Sequence, residues 1–324
     1  MHSSITVSAP GKLILLGEHA VVYGKPCLVT AVNQRMSAKV SFMPEQVLKL
    51  EAADVHVHGY QKPLSELGGG TIPKGARFVE MAVKNFADKH ALKQGVAVEM
   101  SSEFKSTFGF GSSSASTVCI LKALFELLSI KHTHKDIFDI AYKSVLDIQG
   151  KGSGFDIAAA VYGGTLLFMS GGEVISPCKV ASIPLVVGYS GIKADTVTLI
   201  DAVKAKAQKY PAVIAGIYDQ MGALVEHAKV ALEAEDWPTL GDLMNTNQGL
   251  LECLGVSISK LSEMIWAARG AGAFGAKLSG AGGGDCMIAL ATKGHHKIVA
   301  SAIENVEGEV IDVQTGAEGV RVEK

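Results

Sequence analysis

The residues able to do chemistry fall into four short segments. In 104-FKSTFGFGSSSASTVCILKALFELL-128, five small residues, Gly111, Ser112, Ser113, Ser114 and Ala115, stand where a helix must begin. One serine at an N-cap satisfies one orphan backbone N–H. Three in succession after Gly109-Phe110-Gly111 exceed that need. Small side chains let main-chain amides approach a ligand, hydroxyls add donors, and the helix dipole favours an anion, so phosphate is the candidate. A hydroxyl of the same run could also sit on Mg2+. From this loop alone, capping and phosphate binding both stay open. Neither a Walker A loop nor a dinucleotide fingerprint is present, because G-x-x-x-x-G-K-[ST] is absent and Ser114 occupies the last position of G-x-G-x-x-G. The protein-kinase H-R-D and D-F-G signatures are missing too.

Three other segments add candidates. The stretch 9-APGKLILLGEHAVVYGK-25 brings Lys12, Glu18 and His19 together between glycines. A surface charge and a loop histidine are the plain alternative. In 276-AKLSGAGGGDCMIAL-290, Gly280, Gly282, Gly283 and Gly284 crowd a turn between two strand-like runs, more glycine than a simple turn requires. In 150-GKGSGFDIAAAVYGG-164, Asp156 interrupts an apolar run. It is either a helix N-cap or a catalytic carboxylate that a nearby lysine would keep ionised.

The elements that must position these groups follow from periodicity. Residues 4–9, 27–34 and 37–42 have the β-branched content of strands, with a tight stretch carrying APGK and EHAVVYGK between them. Residues 46–70 alternate between strand-like and turn-like, 77–92 read as a helix, and 95–100 as a strand. Val118, Leu121, Leu124, Phe125 and Leu128 recur at spacings of three and four, a core-facing helical stripe. Helices are expected over 135–148 and 155–161, the second closed by glycine, followed by strands TLLFM and IPLVVGYS. Helices at 196–208, 212–234, 237–252 and 257–271 dominate the next stretch. Strands AKLSG, CMIAL and EVIDVQ then alternate with a helix near 294–305. Interleaved strands and helices predict an α+β fold, with Ser190–Asp195 as the candidate junction. Met221, Leu224 and Leu232 could form a homodimer face, although core packing explains the stripe better.

Composition narrows the function classes. A length of 324 residues allows two domains, or one large domain with a deep cleft. A formal charge of −2 supplies no field for nucleic acid or an anionic membrane, so any anion must be held by local chemistry. The N-terminus has no basic-then-apolar leader, and no run of about 18 apolar residues suggests a membrane span. Cys27, Cys119, Cys178, Cys253 and Cys286 are odd in number and widely spaced, which reads as reduced thiols in a cytoplasmic protein. The pairs His56/His58 and His132/His134 lack a third ligand at metal-binding spacing.

Together the segments resemble the galactokinase–homoserine kinase–mevalonate kinase–phosphomevalonate kinase (GHMP) superfamily, over nearly the whole chain and with its three motifs in order. The resemblance implies a ribosomal-protein-like N-terminal domain over 1–190 and a ferredoxin-like C-terminal domain over 191–324, with ATP and a small substrate in the cleft between them. It implies that Gly109, Phe110, Gly111, Ser112, Ser113, Ser114 and Ala115 wrap the triphosphate, and that Gly280, Ala281, Gly282 and Gly283 support them from the other domain. Asp156 would accept or steer the substrate hydroxyl proton, and Lys12 would stabilise developing charge. His19, Glu18 and Thr196 match positions close to substrate and phosphate, and Ser113 matches a Mg2+ ligand.

Within the superfamily, GEHAVVYG (17–24) and residues 244–284, with Asn247-Gln248 and Leu254-Gly255-Val256-Ser257, are most similar to mevalonate kinases. The implied reaction is ATP-dependent phosphorylation of the C5 hydroxyl of mevalonate. QGKGSGFDIAAAVYGG and Asp285 are more similar to phosphomevalonate kinases, whose substrate would call for cations such as Lys105, Lys151 or Lys193. A member without catalysis, acting as a sensor, would be expected to lose at least one of Lys12, Ser113 and Asp156. Mevalonate kinases commonly place a Mg2+-binding glutamate eleven residues before the catalytic aspartate, where this chain has Val145. Asp147 is two positions off, which on a helix points it elsewhere.

Overall fold

The structure, a computed structural model, describes residues 4–323. Its opening strand, β1 (Ser4–Leu16), runs straight through APGK, where a tight stretch was expected. β1 pairs antiparallel with β2 (Cys27–Met43), which absorbs both strands expected there. Pro10 can donate no ladder hydrogen bond, and the register shifts beside it: Pro10 faces Arg35 while Gly11 faces Val32. Long-range pairing thus overrides the local turn signal.

Beyond β2 come β3 (Val47–Ala52), β4 (Val57–Pro63), β5 (Gly95–Ser102), β6 (Thr165–Phe168) and β7 (Ile175–Pro177). β5 joins the edge of β2 at one end and β6 at the other, and β3 is parallel to β5. Four helices belong to this half, α1 (Arg77–Lys89), α2 (Ser112–Leu127), α3 (His134–Gln149) and α4 (Phe155–Tyr162); α2 and α4 pack on the sheet, and α1 and α3 pack against α2. The expected stripe on α2 is core, with Val118, Leu121, Leu124 and Phe125 buried beside Phe86 and Phe138.

The second layer pair is built on β8 (Leu185–Tyr189), β9 (Gly275–Ser279), β10 (Cys286–Leu290) and β11 (Glu309–Ile311), antiparallel in the order β11-β8-β10-β9. The helices of this half are α5 (Thr196–Lys209), α6 (Pro211–Glu233), α7 (Trp237–Leu254), α8 (Ser259–Gly270) and α9 (His296–Asn305). A last strand, β12 (Arg321–Val322), returns to pair with β1. Sheet membership therefore places β8 in the second sheet, ahead of the expected 190/191 division, and β12 in the first. The reason is packing: β8 is buried throughout and hydrogen-bonded on both edges, by β10 and β11. Met221 and Leu232 on α6 are fully buried, so that stripe is core rather than a docking face. β1 is buried from Val7 to Leu16 because α2, α4, α7 and β9 all pack against it. It is the strand both halves share.

Candidate active site

Helix starts differ in how they are closed. α3 opens with a capping box in which Asp136 N–H donates to Thr133 Oγ1 at 3.2 Å and Thr133 N–H to Asp136 Oδ2 at 2.7 Å. Asp195 and Asp236 cap α5 and α7 by accepting from Thr198 and Thr239. By contrast α2 and α4 start from left-handed glycines, Gly111 (φ 79) and Gly154 (φ 94), with no side-chain cap among the described residues. Ser112, Ser113 and Ser114 lie inside α2 and leave its first amides uncapped, which decides the capping question. Free N–H groups and an aligned dipole favour an anion at the start of α2.

Lys12 and Asp156 meet beside it. Bulged β1 carries Lys12 N–H to the Phe110 carbonyl (3.0 Å), and its Nζ donates to the Gly109 carbonyl at 2.9 Å. That Nζ lies 3.7 Å from Asp156 Oδ1 and 5.2 Å from the centre of the Phe155 ring. Asp156 Oδ1 is buried without a hydrogen-bond partner among the described residues, although the Asp156 side chain as a whole keeps 35 % exposure. The two groups are thus an ion pair short of hydrogen-bonding distance, with the remaining, exposed part of the carboxylate on the cleft wall. A Cβ at Gly111 would sit 3.3 Å from Lys12 Cε and 3.6 Å from Asp156 Cβ, so the start of α2 borders both.

Glu18 behaves differently. Its carboxylate is fully buried, receives a hydrogen bond from the equally buried Lys277 ammonium on β9, and accepts from Asn247 Nδ2 at 3.1 Å. Burial lowers the Lys277 pKa, opposed by the Glu18 charge. Both Glu18 oxygens are engaged, so this residue supports the site rather than offering a free carboxylate. The next residue, His19, takes a left-handed conformation (φ 59) and donates from Nε2 to the Ala281 carbonyl at 2.9 Å. Desolvation depresses its pKa below the ordinary histidine value. Ser279 adds a third tie between the halves, donating to the Ile14 carbonyl at 2.9 Å and accepting from the Ile14 amide at 3.1 Å.

A cleft of about 670 Å³ collects Lys12, Glu18, His19, Gly109, Gly111, Ser112, Ser113, Asp156, Thr196, Gly280 and Ala281. Other expected residues point elsewhere. Phe110 is buried against Phe104 and Phe108, contributing only backbone, and Ala115 is core. Ser114 is also buried, 6 % exposed. Gly282 and Gly283 pack against the second domain: a Cβ on Gly282 would stand 2.2 Å from the Val256 carbonyl oxygen. Their absence of side chain serves close packing, while Gly280 and Ala281 face the cleft.

Sequence reasoning missed two groups. One is the apolar lining from Met36, Ala52, Val55, Phe78, Val79 and Met100, which belong to strands, a short 3-10 turn and a helix. The other is Lys277 with Asn247, whose partner is distant in the chain. Of the three cations considered for a phosphorylated acceptor, Lys105 pairs with Glu309 (2.8 Å) and Lys151 with Asp201 (2.6 Å), both outside the cleft lining. Lys193 lines the cleft but pairs with Asp285 at 3.1 Å.

Comparison with known proteins places this geometry in context. Models of the GHMP kinases N-terminal domain and the GHMP kinases C-terminal region match residues 77–164 and 228–307. A mevalonate kinase of Pyrococcus abyssi is 37 % identical, the alignment covering 99 % of this chain and 98 % of that protein. Among solved structures, a Lin0012 protein from Listeria innocua superposes with a TM-score of 0.88 at 23 % identity, covering 99 % of both chains. L. major mevalonate kinase in complex with R-mevalonate superposes with a TM-score of 0.78 at 26 % identity, over 96 % of this chain and 95 % of that one.

Proposed function

This chain belongs to the GHMP kinase family, and on that premise we propose that it transfers the γ-phosphoryl group of ATP to the C5 hydroxyl of mevalonate. The observation that carries the reading is the meeting of Lys12 and Asp156 beside the uncapped start of α2 in one cleft. Phosphoryl transfer depends on in-line positioning and charge neutralisation more than on covalent chemistry. Asp156 accepts or steers the hydroxyl proton through the part of its carboxylate that is exposed to the cleft. Lys12, anchored on Gly109, stabilises charge developing on the acceptor oxygen. The amides at the start of α2, with Gly109 and Gly111, hold phosphate oxygens, and Gly280 and Ala281 approach from the second sheet. The apolar lining of the cleft suits a purine base. His19 and Thr196 contact substrate, and Glu18 with Lys277 fixes the turn that carries His19.

The Ser113 hydroxyl, on the cleft wall at the start of α2, fits a hard, oxygen-preferring cation such as Mg2+. Bound there, Mg2+ would neutralise phosphate charge. Among the described residues no cluster of three or more His, Cys, Asp or Glu could hold a metal alone, so phosphate oxygens must supply the remaining ligands. Val145, at the position where a glutamate was sought, is buried, and Asp147 is held by Asn85 (2.9 Å) and Lys143 (2.7 Å).

Mevalonate is favoured over 5-phosphomevalonate because Lys105, Lys151 and Lys193 each already have a carboxylate partner. We place the enzyme in the cytoplasm, in keeping with five free cysteines. No helix among the described residues is long and apolar enough to cross a membrane. Initial rates with mevalonate and with 5-phosphomevalonate, at one ATP concentration, test the acceptor. Turnover of mevalonate alone is expected. Turnover of the phosphorylated acceptor alone overturns the acceptor assignment, and turnover of neither overturns the kinase reading.

A further inference from the structure

Asp285 sits at φ 55, in the left-handed region where glycine costs least, so a side chain is retained there against backbone preference. It follows the glycine-rich turn and immediately precedes β10. Four hydrogen bonds tie it to the segment that joins β8 to α5. Its N–H donates to the Ile192 carbonyl (2.7 Å) and its carbonyl accepts from Ser190 N–H (2.9 Å). Its Oδ1 accepts from Ala194 N–H (3.0 Å) and from Lys193 Nζ (3.1 Å). The same segment leads directly to Thr196, the first residue of α5 and part of the cleft lining. On its other side the carboxylate abuts the phosphate turn: a Cβ added to Gly109 would stand 2.5 Å from Asp285 Oδ2. Asp285 is therefore wedged between the junction and the Gly109 turn, with its side chain 12 % exposed.

A carboxylate in that place has two opposing effects. It fixes the junction against the turn, and it sets a negative charge beside a site built for anions. Lys193, half-exposed and lining the same cleft, is the cation that cancels the charge. We propose that Asp285 and Lys193 act as one unit: Asp285 is a positioning residue that holds 190–196 against the nucleotide-phosphate turn, and Lys193 screens its carboxylate from the phosphates. The inference rests on the Gly109–Ser113 turn holding nucleotide phosphates, and is independent of which acceptor is used.

A double-mutant cycle on the full chain tests it, with calorimetric titration of MgADP in the absence of any acceptor and a melting curve for each variant. Lys193→Met leaves the carboxylate unscreened and is expected to weaken ADP binding by about tenfold. Asp285→Gly removes charge and tether together and suits φ 55, so a loss of about threefold or less is expected with no fall in melting temperature. The double variant should bind ADP like Asp285→Gly alone, so that the second change rescues the first. Lys193→Arg should stay close to the parent protein. Unchanged ADP affinity in Lys193→Met, or losses that add in the double variant, overturns the proposal. A parent protein that binds no ADP overturns the nucleotide reading itself, whereas failure to phosphorylate mevalonate would leave this result untouched.

Discussion

Lys12 and Glu18 leave one N-terminal segment, and each finds an oppositely charged partner far along the chain. The Glu18–Lys277 pair is sealed: both side chains are fully buried, they touch, and Asn247 occupies the second carboxylate oxygen. The Lys12–Asp156 pair is left short of contact at 3.7 Å, with one carboxylate oxygen unpartnered and the aspartate one-third exposed. Removing charge from water is costly, and a buried pair offsets the cost only when its remaining lone pairs are satisfied. Glu18 and Lys277 meet that condition and have little capacity left for a ligand. Asp156 does not meet it, which is the state expected of a group whose partner arrives with the substrate. On the proposed function the same two functional groups serve as a strut in one place and as a reagent in the other, and satisfaction separates the roles.

The comparison is broken most severely at the open pair. Asp156→Asn keeps the shape but removes the proton acceptor, so kcat should fall by about 10²- to 10⁴-fold while MgADP binding persists. Near-normal turnover would mean that Asp156 is not the reacting carboxylate. The sealed pair should respond in stability instead. Lys277→Met strands a buried carboxylate and should cost about 3–5 kcal/mol in urea unfolding. Adding Glu18→Gln should recover most of that, since the stranded charge is gone. A double variant as unstable as the single would show that packing, not charge, holds this contact.

A smaller effect sharpens the contrast at His19, between the two pairs. Its folded-state pKa lies below the unfolded value of 6.5 because burial disfavours the cation, with Glu18 and the Ala281 carbonyl opposing. Between the two pKa values the unfolded state binds more protons. The contribution of this group to stability should therefore be complete above pH 6.5 and decline as pH falls beneath it. Urea midpoints at several pH values between 5 and 7.5 would show the slope, and His19→Gln should flatten it. An unaltered slope in that variant would assign the titration to another group.

Much of the machinery was legible in residue order. The serine run after Gly109-Phe110-Gly111, the lysine of APGK and the aspartate of GSGFD declared themselves by type and by glycine spacing. The α2 stripe and the long helices of the second half followed from periodicity. APGK misled, since proline and glycine suggest a turn wherever no partner strand is visible; β2 supplied the partner and a bulge absorbed the misfit. Phe110 and Ala115 were counted as ligand contacts because they lie inside the motif, yet the Phe110 ring, ahead of α2, packs against Phe104 and Phe108, and Ala115 lies on the core side of the first turn of α2.

What sequence alone determined is the set of groups and their local setting: a helix that begins at a glycine- and serine-rich turn, glycines crowded into a second turn, and charges set in apolar runs. Only the tertiary structure decided how those groups pair. Lys277 reaches Glu18, Lys12 faces Asp156, and Asp285 closes on the Gly109 turn across large separations in the chain. No local signal encodes such pairings, because they arise when two independently specified layers pack on β1 and bury whatever charge lies between them.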